Sequence, residues 1–534
     1  MEEIKIRELP NKNLVNGSDY IPVEDGDGTK KVPAKYFRSL ITSSIFFNSV
    51  EELRNSADIG LKEGDICETL GYYTPGDGGA SKYIITYNLA GVDDRKLIHN
   101  LSYSDTLKAE IILGDTLNVH QFGAKGDGVS DDTEAIQAAI DSSDSRVVKF
   151  NNNKKYLIRN TININMSNTI IDGDGGILCP QYVDGIYIGS TEPVSSNFIK
   201  NVTVRDLNFD CVNTSAAIIV DNSYKVDIIR ATITEITSRA IHIYNSEFIN
   251  IDKCYFYAKE NGSMIVIDEV EIDDLKCVPS RVINITNCNF KDFYRGVYVM
   301  SAPAIKKLQP IINVANCHYS TPLSSSNCID ISSDIKTLNI RSNTVQKCNT
   351  FLFVGANAEQ ANVSCKDLYC EDASHTFDIG STNCILNMSG SLYIPNGLND
   401  NHVLFKQMQG TFLSNVPWIS NGVQCTYNQS PTGEIFDSNH PMLYDNNWGY
   451  DTNGANTISL HESRNIFVMW PYTTEITTIN GGVKGQVIYV DSSQNANIVA
   501  SENKIELSQS SVQLGMHNGI TLKFDGLKWV QIEV

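Results

Sequence analysis

From residue 202 onward the chain repeats one apolar code, with side chains at offsets 0, 2, 5 and 7, then a gap, then the code again. It reads Val202, Val204, Leu207, Phe209; Val226, Ile228, Ala231, Ile233; Ile249, Ile251, Cys254, Phe256; Ile283, Ile285, Cys288, Phe290; and Ile312, Val314, Cys317, Tyr319. Leu338, Ile340, Asn343, Val345 breaks the third position, Val363, Cys365, Leu368, Cys370 restores it, and Leu386, Met388, Ser391, Tyr393 keeps three of the four. Successive starts lie 24, 23, 34, 29, 26, 25 and 23 residues apart. A unit of two short alternating strands cannot bury its apolar side alone, so it stacks on copies of itself and the chain becomes a solenoid of at least eight coils. The two long steps place surface insertions at about 257–282 and 291–311.

Alternation along a strand sends every second side chain inward, onto the coils above and below. Cys254, Cys288 and Cys317 share one template position and so belong to an interior stack of small apolar groups. The thirteen cysteines are an odd number with no CxxC pair and no Cys/His cluster at zinc spacing, which supports neither a structural metal nor a complete disulfide framework.

Each coil also contains a further strand, ending at Val220, Ile243, Ile267, Val299, Ile331, Val354 and Ile379. The penultimate residues form a column expected to face outward: Ile219, His242, Val266, Tyr298, Asp330, Phe353 and Asp378. Coils stack about 4.8 Å apart, so Asp330 and Asp378, two coils apart, have strand positions about 10 Å apart, near the wider carboxyl separation of inverting glycosidases. Tyr298 and Phe353 flank Asp330, and aromatic rings beside carboxylates suit a sugar chain, whose apolar faces stack while its hydroxyls seek acceptors. Asp330, Asp378 and His242 are therefore the candidate catalytic residues, with Tyr298 and Phe353 as substrate contacts. The insertion "IDEVEIDD" adds a second acidic group beside the column, Asp268, Glu269, Glu271, Asp273 and Asp274, of which Asp268 and Glu269 are candidate substrate contacts. The bland reading makes these carboxylates a solvated face.

Upstream, "FGAKGDGVSDDTEAIQAAI" (122–140) places three glycines before a short apolar stripe. A calcium loop needs oxygen ligands at alternate positions and a closing bidentate Glu, which this spacing lacks; "DGDGTK" (25–30) fails as well, with Lys30 where the glycine belongs. Gly123, Gly126 and Gly128 instead supply positive φ in tight turns, and Asp131 with Glu134 predicts a capped helix over 131–141 whose narrow face of Ala135, Ile136, Ala139 and Ile140 covers the end of a sheet. On these residues the segment resembles the opening of the pectate-lyase-like superfamily of right-handed parallel β-helices, found in phage tailspikes and in polysaccharide lyases and hydrolases. The resemblance implies an all-β, right-handed parallel β-helix over 116–410, with this segment as its cap and with no catalytic residue in it.

The ends differ from the repeat. Residues 1–45, with "YIPVE" and "TKKVP" about a DGDG turn, resemble the short virion-attachment segment of phage tail proteins, and residues 46–115 resemble the small head module that precedes many phage β-helices. The Gly-rich "PGDGGA" there is a turn; without GK[ST] it is no phosphate loop. All four tryptophans, Trp418, Trp448, Trp470 and Trp529, fall after residue 410, which marks 411–534 as a separate all-β, sandwich-like module for trimerisation or glycan binding.

Composition narrows the partners. A net charge of −20, from 42 basic and 62 acidic residues, repels phosphate backbones and excludes nucleic acid. The N-terminal "MEEIKIRELP" lacks a secretory n- and h-region, and no apolar run reaches the roughly 18 residues of a membrane span. With the resemblance, this implies a tailspike made in the host cytoplasm and carried on the virion tail: a homotrimer, joined to a tail or baseplate protein by its N-terminus, that binds and depolymerises a bacterial surface polysaccharide without a cofactor or metal. Hydrolysis by two carboxyl groups is the leading chemistry. A polysaccharide lyase using His242, Arg239 or Arg295 is the enzymatic alternative, although the acidic surface disfavours a polyuronate. A non-catalytic fibre and a free secreted polysaccharidase are the others.

Overall fold

The computed structural model describes residues 44–87, 97–104, 106–190, 198–212, 214–259, 262–268, 282–300, 310–358 and 360–394, a strand pair at 20–25 and 28–33, and separate strand segments between 403 and 532. The chain divides into two compact units, residues 1–158 with 169–177, and residues 159–168 with 178–534.

In the first unit, Tyr20–Asp25 and Gly28–Pro33 pair antiparallel with Asp25 opposite Gly28, the hairpin expected of DGDG. A five-stranded sheet follows, its core built from Phe47, Val50, Leu53, Leu61, Cys67, Tyr83, Ile85, Leu101, Ala109 and Ile111. The PGDGGA turn closes around Asp77, whose carboxylate accepts backbone N–H groups from Tyr72, Tyr73, Thr74 and Gly79 at 2.7–3.0 Å. Burial raises the Asp77 carboxyl, and the four N–H groups outweigh it and hold it below its ordinary value. Next come the first coil strands, Thr116–Asn118 and Val147–Lys149, paired in parallel.

The capping helix runs Thr133–Asp141, two residues shorter than predicted. Asp131 accepts the Thr133 N–H from just outside the helix, at 3.0 Å. Asp132 turns away from the helix and holds the glycine loop, accepting from the backbone N–H of Lys125 (2.7 Å) and Gly126 (3.0 Å). Ala135, Ile136, Ala139 and Ile140 are buried as the stripe required. Gly126 has φ +60, and a Cβ on it would stand 2.9 Å from the Lys154 Cβ, so the loop needs glycine for both reasons.

In the second unit the coils through Asn327–Ile331 carry three short parallel strands each, and beyond them strands run together, as in Thr344–Val354 and Ala361–Ile379. Template residues pair with their equivalents one coil on: Val202 with Val226, Val226 with Ile249, Ile249 with Ile283, Ile283 with Ile312, Ile312 with Leu338, Leu338 with Val363, and Val363 with Leu386. The interior is a set of vertical stacks. Phe256, Phe290 and Tyr319 lie face to face at 5.1 and 4.7 Å. Cys254, Cys288 and Cys317 are buried, each with its Sγ near a carbonyl of the coil before. The hydrogen bond to Cys288 and then burial raise the Cys254 thiol, which keeps it an unreactive core group.

Asn343, where the template turned polar, is also inside. It accepts from Cys317 N at 2.8 Å and donates to the Val314 carbonyl at 3.0 Å, bracing two coils with one side chain. The eighth coil departs by one residue: a register shift pairs Leu368 with Leu392, so Leu392 and not Ser391 enters the core. Between the first two strands of each coil stands one residue in the left-handed region, Asp206, Arg230, Lys253, Asn287, Asn316, Ser342 and Asp367, all with φ of 52–56°. In the first six, the backbone N–H bonds to the following coil at 2.9–3.0 Å, which offsets the conformational cost of the bend.

Coil pairing does not stop at residue 410. Leu386 pairs with Phe412 and Phe412 with Ile435, and Leu392 pairs with Trp418, so the ladder continues to Ile435–Asp437. The template fades there because its positions turn polar, with Ser414 paired to Met388 and Ser420 to Ile394. Beyond them, five-, three- and two-stranded sheets form the C-terminal β region, where Trp529 is buried. Among the described residues no helix is long and apolar enough to cross a membrane. The insertions fall between Ile267 and Val282 and between Val299 and Ile311, so Glu269, Glu271, Asp273 and Asp274 lie outside the described residues.

Candidate functional site on the third strand of the coils

The third strand of each coil builds one face. Its ladder holds the column in the register read from the sequence: Ile219 pairs with His242, His242 with Val266, Val266 with Tyr298, Tyr298 with Asp330, Asp330 with Phe353, and Phe353 with Asp378. The side chains are not laid open to solvent as expected. Asp330 is 1% exposed, Asp378 2% and His242 8%, while Tyr298 and Phe353 are half-buried. The cover comes from long neighbouring side chains that fold over the column.

Arg295 covers Asp330. Its Nε donates to Asp330 Oδ2 at 2.7 Å, Asn327 Nδ2 donates to the same oxygen at 2.9 Å, and Ser332 Oγ donates to Oδ1 at 2.8 Å. The Arg295 guanidinium lies against two rings, with its carbon 4.2 Å from the Tyr298 centroid and 4.5 Å from that of Tyr294. Lys406 covers Asp378, donating to Oδ2 at 2.9 Å. Beside it, burial and then Lys406 lower the His375 imidazole. Asp330 and Asp378 thus stand two coils apart, each already committed to a cation.

His242 sits in a second group. Its Nδ1 lies 3.4 Å from Arg239 Nη1, its Nε2 lies 3.7 Å from Asp268 Oδ2, and its ring meets Tyr244 edge-on at 4.8 Å. One position beyond the column, Asp221 pairs with Tyr244, and Asp268 N bonds to the Ile243 carbonyl; Asp221, Tyr244 and Asp268 therefore continue the strand ends on three successive coils.

The sequence reading passed over Asp221, which is 7% exposed. It accepts from Tyr187 Oη at 2.8 Å and faces Asn245 Nδ2 at 3.5 Å. Burial raises its carboxyl to about 6, against the pull of these partners and of His242. The same surroundings raise the Tyr244 phenol to about 12, through burial and then Asp221. The signal available in the sequence was the position after each third strand, which reads Asp221, Tyr244, Asp268, Met300 and Ser332.

Beside these residues a groove of about 610 Å³ opens over the ladder, lined mainly by Arg239, Ser263, Arg295, Tyr294, Tyr298 and Met300. Its walls are polar and aromatic, which suits hydroxyl-rich ligands with apolar ring faces. Among the described residues no three His, Cys, Asp or Glu side chains converge as a metal site.

The sequence profile of the family described as "Rhamnogalacturonase A/epimerase, pectate lyase-like" matches residues 116–353. The match spans 238 of the 534 residues, and the described residues within it carry the parallel β-coils. Over 101 residues, 18% of this chain and 13% of the other, the sequence is 34% identical to a depolymerase of Klebsiella phage K5-2 specific for capsule K30/K69; the chain thus matches only a small part of that relative's length. The tailspike of Acinetobacter baumannii bacteriophage Fri1, a capsular polysaccharide depolymerase, is similar in structure (TM-score 0.49, 11% identity, 76% of this chain and 77% of that one). Tailspike protein 4 of bacteriophage CBA120 gives a TM-score of 0.47 at 12% identity, over 77% of this chain and 56% of that one.

Proposed function

We propose that this chain is a bacteriophage tailspike whose β-helix groove binds a bacterial surface polysaccharide and shortens it by hydrolysis. The observation that carries the reading is a carboxyl group, Asp221, that keeps its proton to about pH 6 on the same ladder whose following coils carry the Arg–Tyr groove. Asp221 gives that proton to the glycosidic oxygen as the C–O bond breaks. Asp268, two coils away on the same line of strand ends, takes a proton from the water that attacks the anomeric carbon. Strand positions two coils apart are separated by about 10 Å, so side chains leaning toward each other reach the spacing of an inverting pair.

Asp330 acts here by positioning: it fixes the guanidinium of Arg295 against Tyr294 and Tyr298, and so shapes the groove. Tyr298 and Phe353 supply stacking faces, and Asp378 with Lys406 continues the polar line along the ladder. Attachment to the tail through residues 1–45 and assembly as a homotrimer belong to the same reading, as does a place on the virion.

A lyase is the second reading. It is favoured by the two guanidinium groups in the groove and by His242 beside them, a base and cations being what β-elimination next to a carboxylate needs. Product analysis separates the readings. Purified protein is incubated with capsular polysaccharides from a panel of strains, and products are sized and weighed. Fragments one water heavier than the repeat unit support hydrolysis; an unsaturated end absorbing in the ultraviolet shows the lyase. Binding with no shortening of any polymer overturns both and leaves an adhesin.

A further inference from the structure

The two arginines of the groove occupy one line of the ladder. Arg239 pairs with Ser263, and Ser263 with Arg295, so the two guanidinium groups stand on the first and third of three successive strands. Ser263 is the small residue between them, and the space above it is part of the groove. Strands in parallel register are about 4.8 Å apart, which puts the two backbone positions about 10 Å apart, a span that one sugar residue with a charged substituent can bridge.

Both groups are oriented but not used up. Arg295 spends its Nε on Asp330, and its guanidinium lies against the rings of Tyr294 and Tyr298. Its two terminal nitrogens have no acceptor among the described residues. Arg239 has one terminal nitrogen near His242 Nδ1, an acceptor with no charge to neutralise it in the neutral ring. A guanidinium fixed through Nε, lying against two rings and with no acceptor for its terminal nitrogens among the described residues, is arranged to receive a planar two-oxygen anion, because the fork matches carboxylate geometry. Among the described residues Arg295 has a carboxylate partner and Arg239 has none, and that carboxylate, Asp330, is 1% exposed.

We propose that the groove selects a sugar residue bearing a carboxylate, held by the terminal nitrogens of Arg295 and by Arg239 across Ser263. This rests on the reading that the groove handles a glycan, and it does not depend on how the glycosidic bond is cut. The charge of the whole chain, −20, had argued against a polyanion. The local arrangement reverses that argument for a single charge: the acidic molecule repels a highly charged polymer at long range, while the groove rewards one carboxylate per repeat at contact. The carboxylate is that of a uronic acid or of a pyruvate ketal, two sources of the same chemistry.

The test needs no identified receptor. The full-length protein is titrated by calorimetry with purified capsular polysaccharides in four groups: neutral, uronate as the sole anion, pyruvate ketal as the sole anion, and phosphate as the sole anion. The best-bound uronate polymer is then reduced at its carboxyl groups with carbodiimide and borohydride and titrated again. Expected is binding to one of the two carboxylate groups, which also names the source, and a 10- to 100-fold weakening once the carboxylate is gone or, for a ketal, is hydrolysed off. Arg295→Lys keeps the charge on Asp330 but removes the fork, and is expected to weaken the same polymer about 10-fold; Arg239→Gln is expected to act in the same direction. Equal binding of the native and carboxyl-free polymer overturns the inference and leaves the glycan reading standing, as does binding confined to neutral or phosphate polymers. No binding to any group overturns the glycan reading itself. Chemical removal of the carboxylate leaves the protein unaltered, so that comparison decides the matter even if a variant fails to fold.

Discussion

Replacing Asp221 by Asn should make the protein more stable at pH 8 while abolishing its action on polysaccharide. The folded chain holds the Asp221 carboxyl at about 6, against an ordinary value of 3.8, because burial disfavours the charged form. The folded state therefore binds the proton more tightly than the unfolded state, and stability falls as pH rises through that window. Below about pH 4 both states are protonated and the penalty is absent; above about pH 6 it is complete. A rise of about two pH units corresponds to about 3 kcal/mol as an upper bound. Asn removes the charge and keeps the shape: its carbonyl accepts from Tyr187 Oη, and its amide can donate to Asn245 once that side-chain amide, whose Nδ2 faces Asp221, turns over to present its buried, unpartnered Oδ1. Expected is a gain of about 1–3 kcal/mol at pH 8 that shrinks toward zero by pH 4.5, read from guanidinium denaturation midpoints across that range. The same acid role predicts that wild-type activity declines as pH rises through about 6. An Asn variant less stable than wild type at pH 8, or a difference that does not change with pH, would refute the reasoning.

Asp330→Asn is expected to destabilise by about 2–3 kcal/mol, since its carbonyl can still accept from Arg295 and Asn327 but the charge that pairs with the guanidinium is lost; the figure sits below that of a fully buried pair because the Arg295 side chain is 27% exposed. A double-mutant cycle of Asp330→Asn with Arg295→Met should show coupling of the same order, and additive effects would contradict the pairing. Asn343→Ala leaves Cys317 N and the Val314 carbonyl without their buried partner and should cost about 2–4 kcal/mol by denaturant melt; a loss under 1 kcal/mol would show that the bracket is incidental. Gly126→Ala, which combines positive φ with a crowded Cβ position, should cost about 1–2 kcal/mol, measured the same way. An unchanged midpoint would show that the loop can move at no cost.

The solenoid was legible because each coil buries the same two pairs of positions, so the stacking partner of Val226 or Ile285 could be read by counting. Inward positions obey one rule, apolar and of a size to fill a layer, and even the polar exception, Asn343, lies where the count placed it. Outward positions follow no such rule. Asp330 and Asp378 stand in the column as counted, but whether an outward carboxylate is free or roofed depends on a side chain from another position, Arg295 three residues before its own strand equivalent or Lys406 on the next coil. Asp221 was missed because counting ended one residue short of it. A second outward code was present and unread: Asn250, Asn284, Asn313 and Asn339, at offset 1 of the template, donate in series from coil to coil at 2.6–2.8 Å, with Asp227 accepting at the head. The end of the solenoid was set too early because the template positions turn polar there, Ser414 pairing with Met388 and Ser420 with Ile394.

The most direct test is the chain length of a bound capsular polysaccharide, followed by size-exclusion chromatography with wild-type protein and Asp221→Asn side by side, both checked for folding by melt. The account predicts progressive shortening by wild type and at least a 100-fold slower loss of length with the variant, as expected when a general acid is removed. Unchanged polymer length with wild type, or shortening by the variant at the wild-type rate, would contradict it.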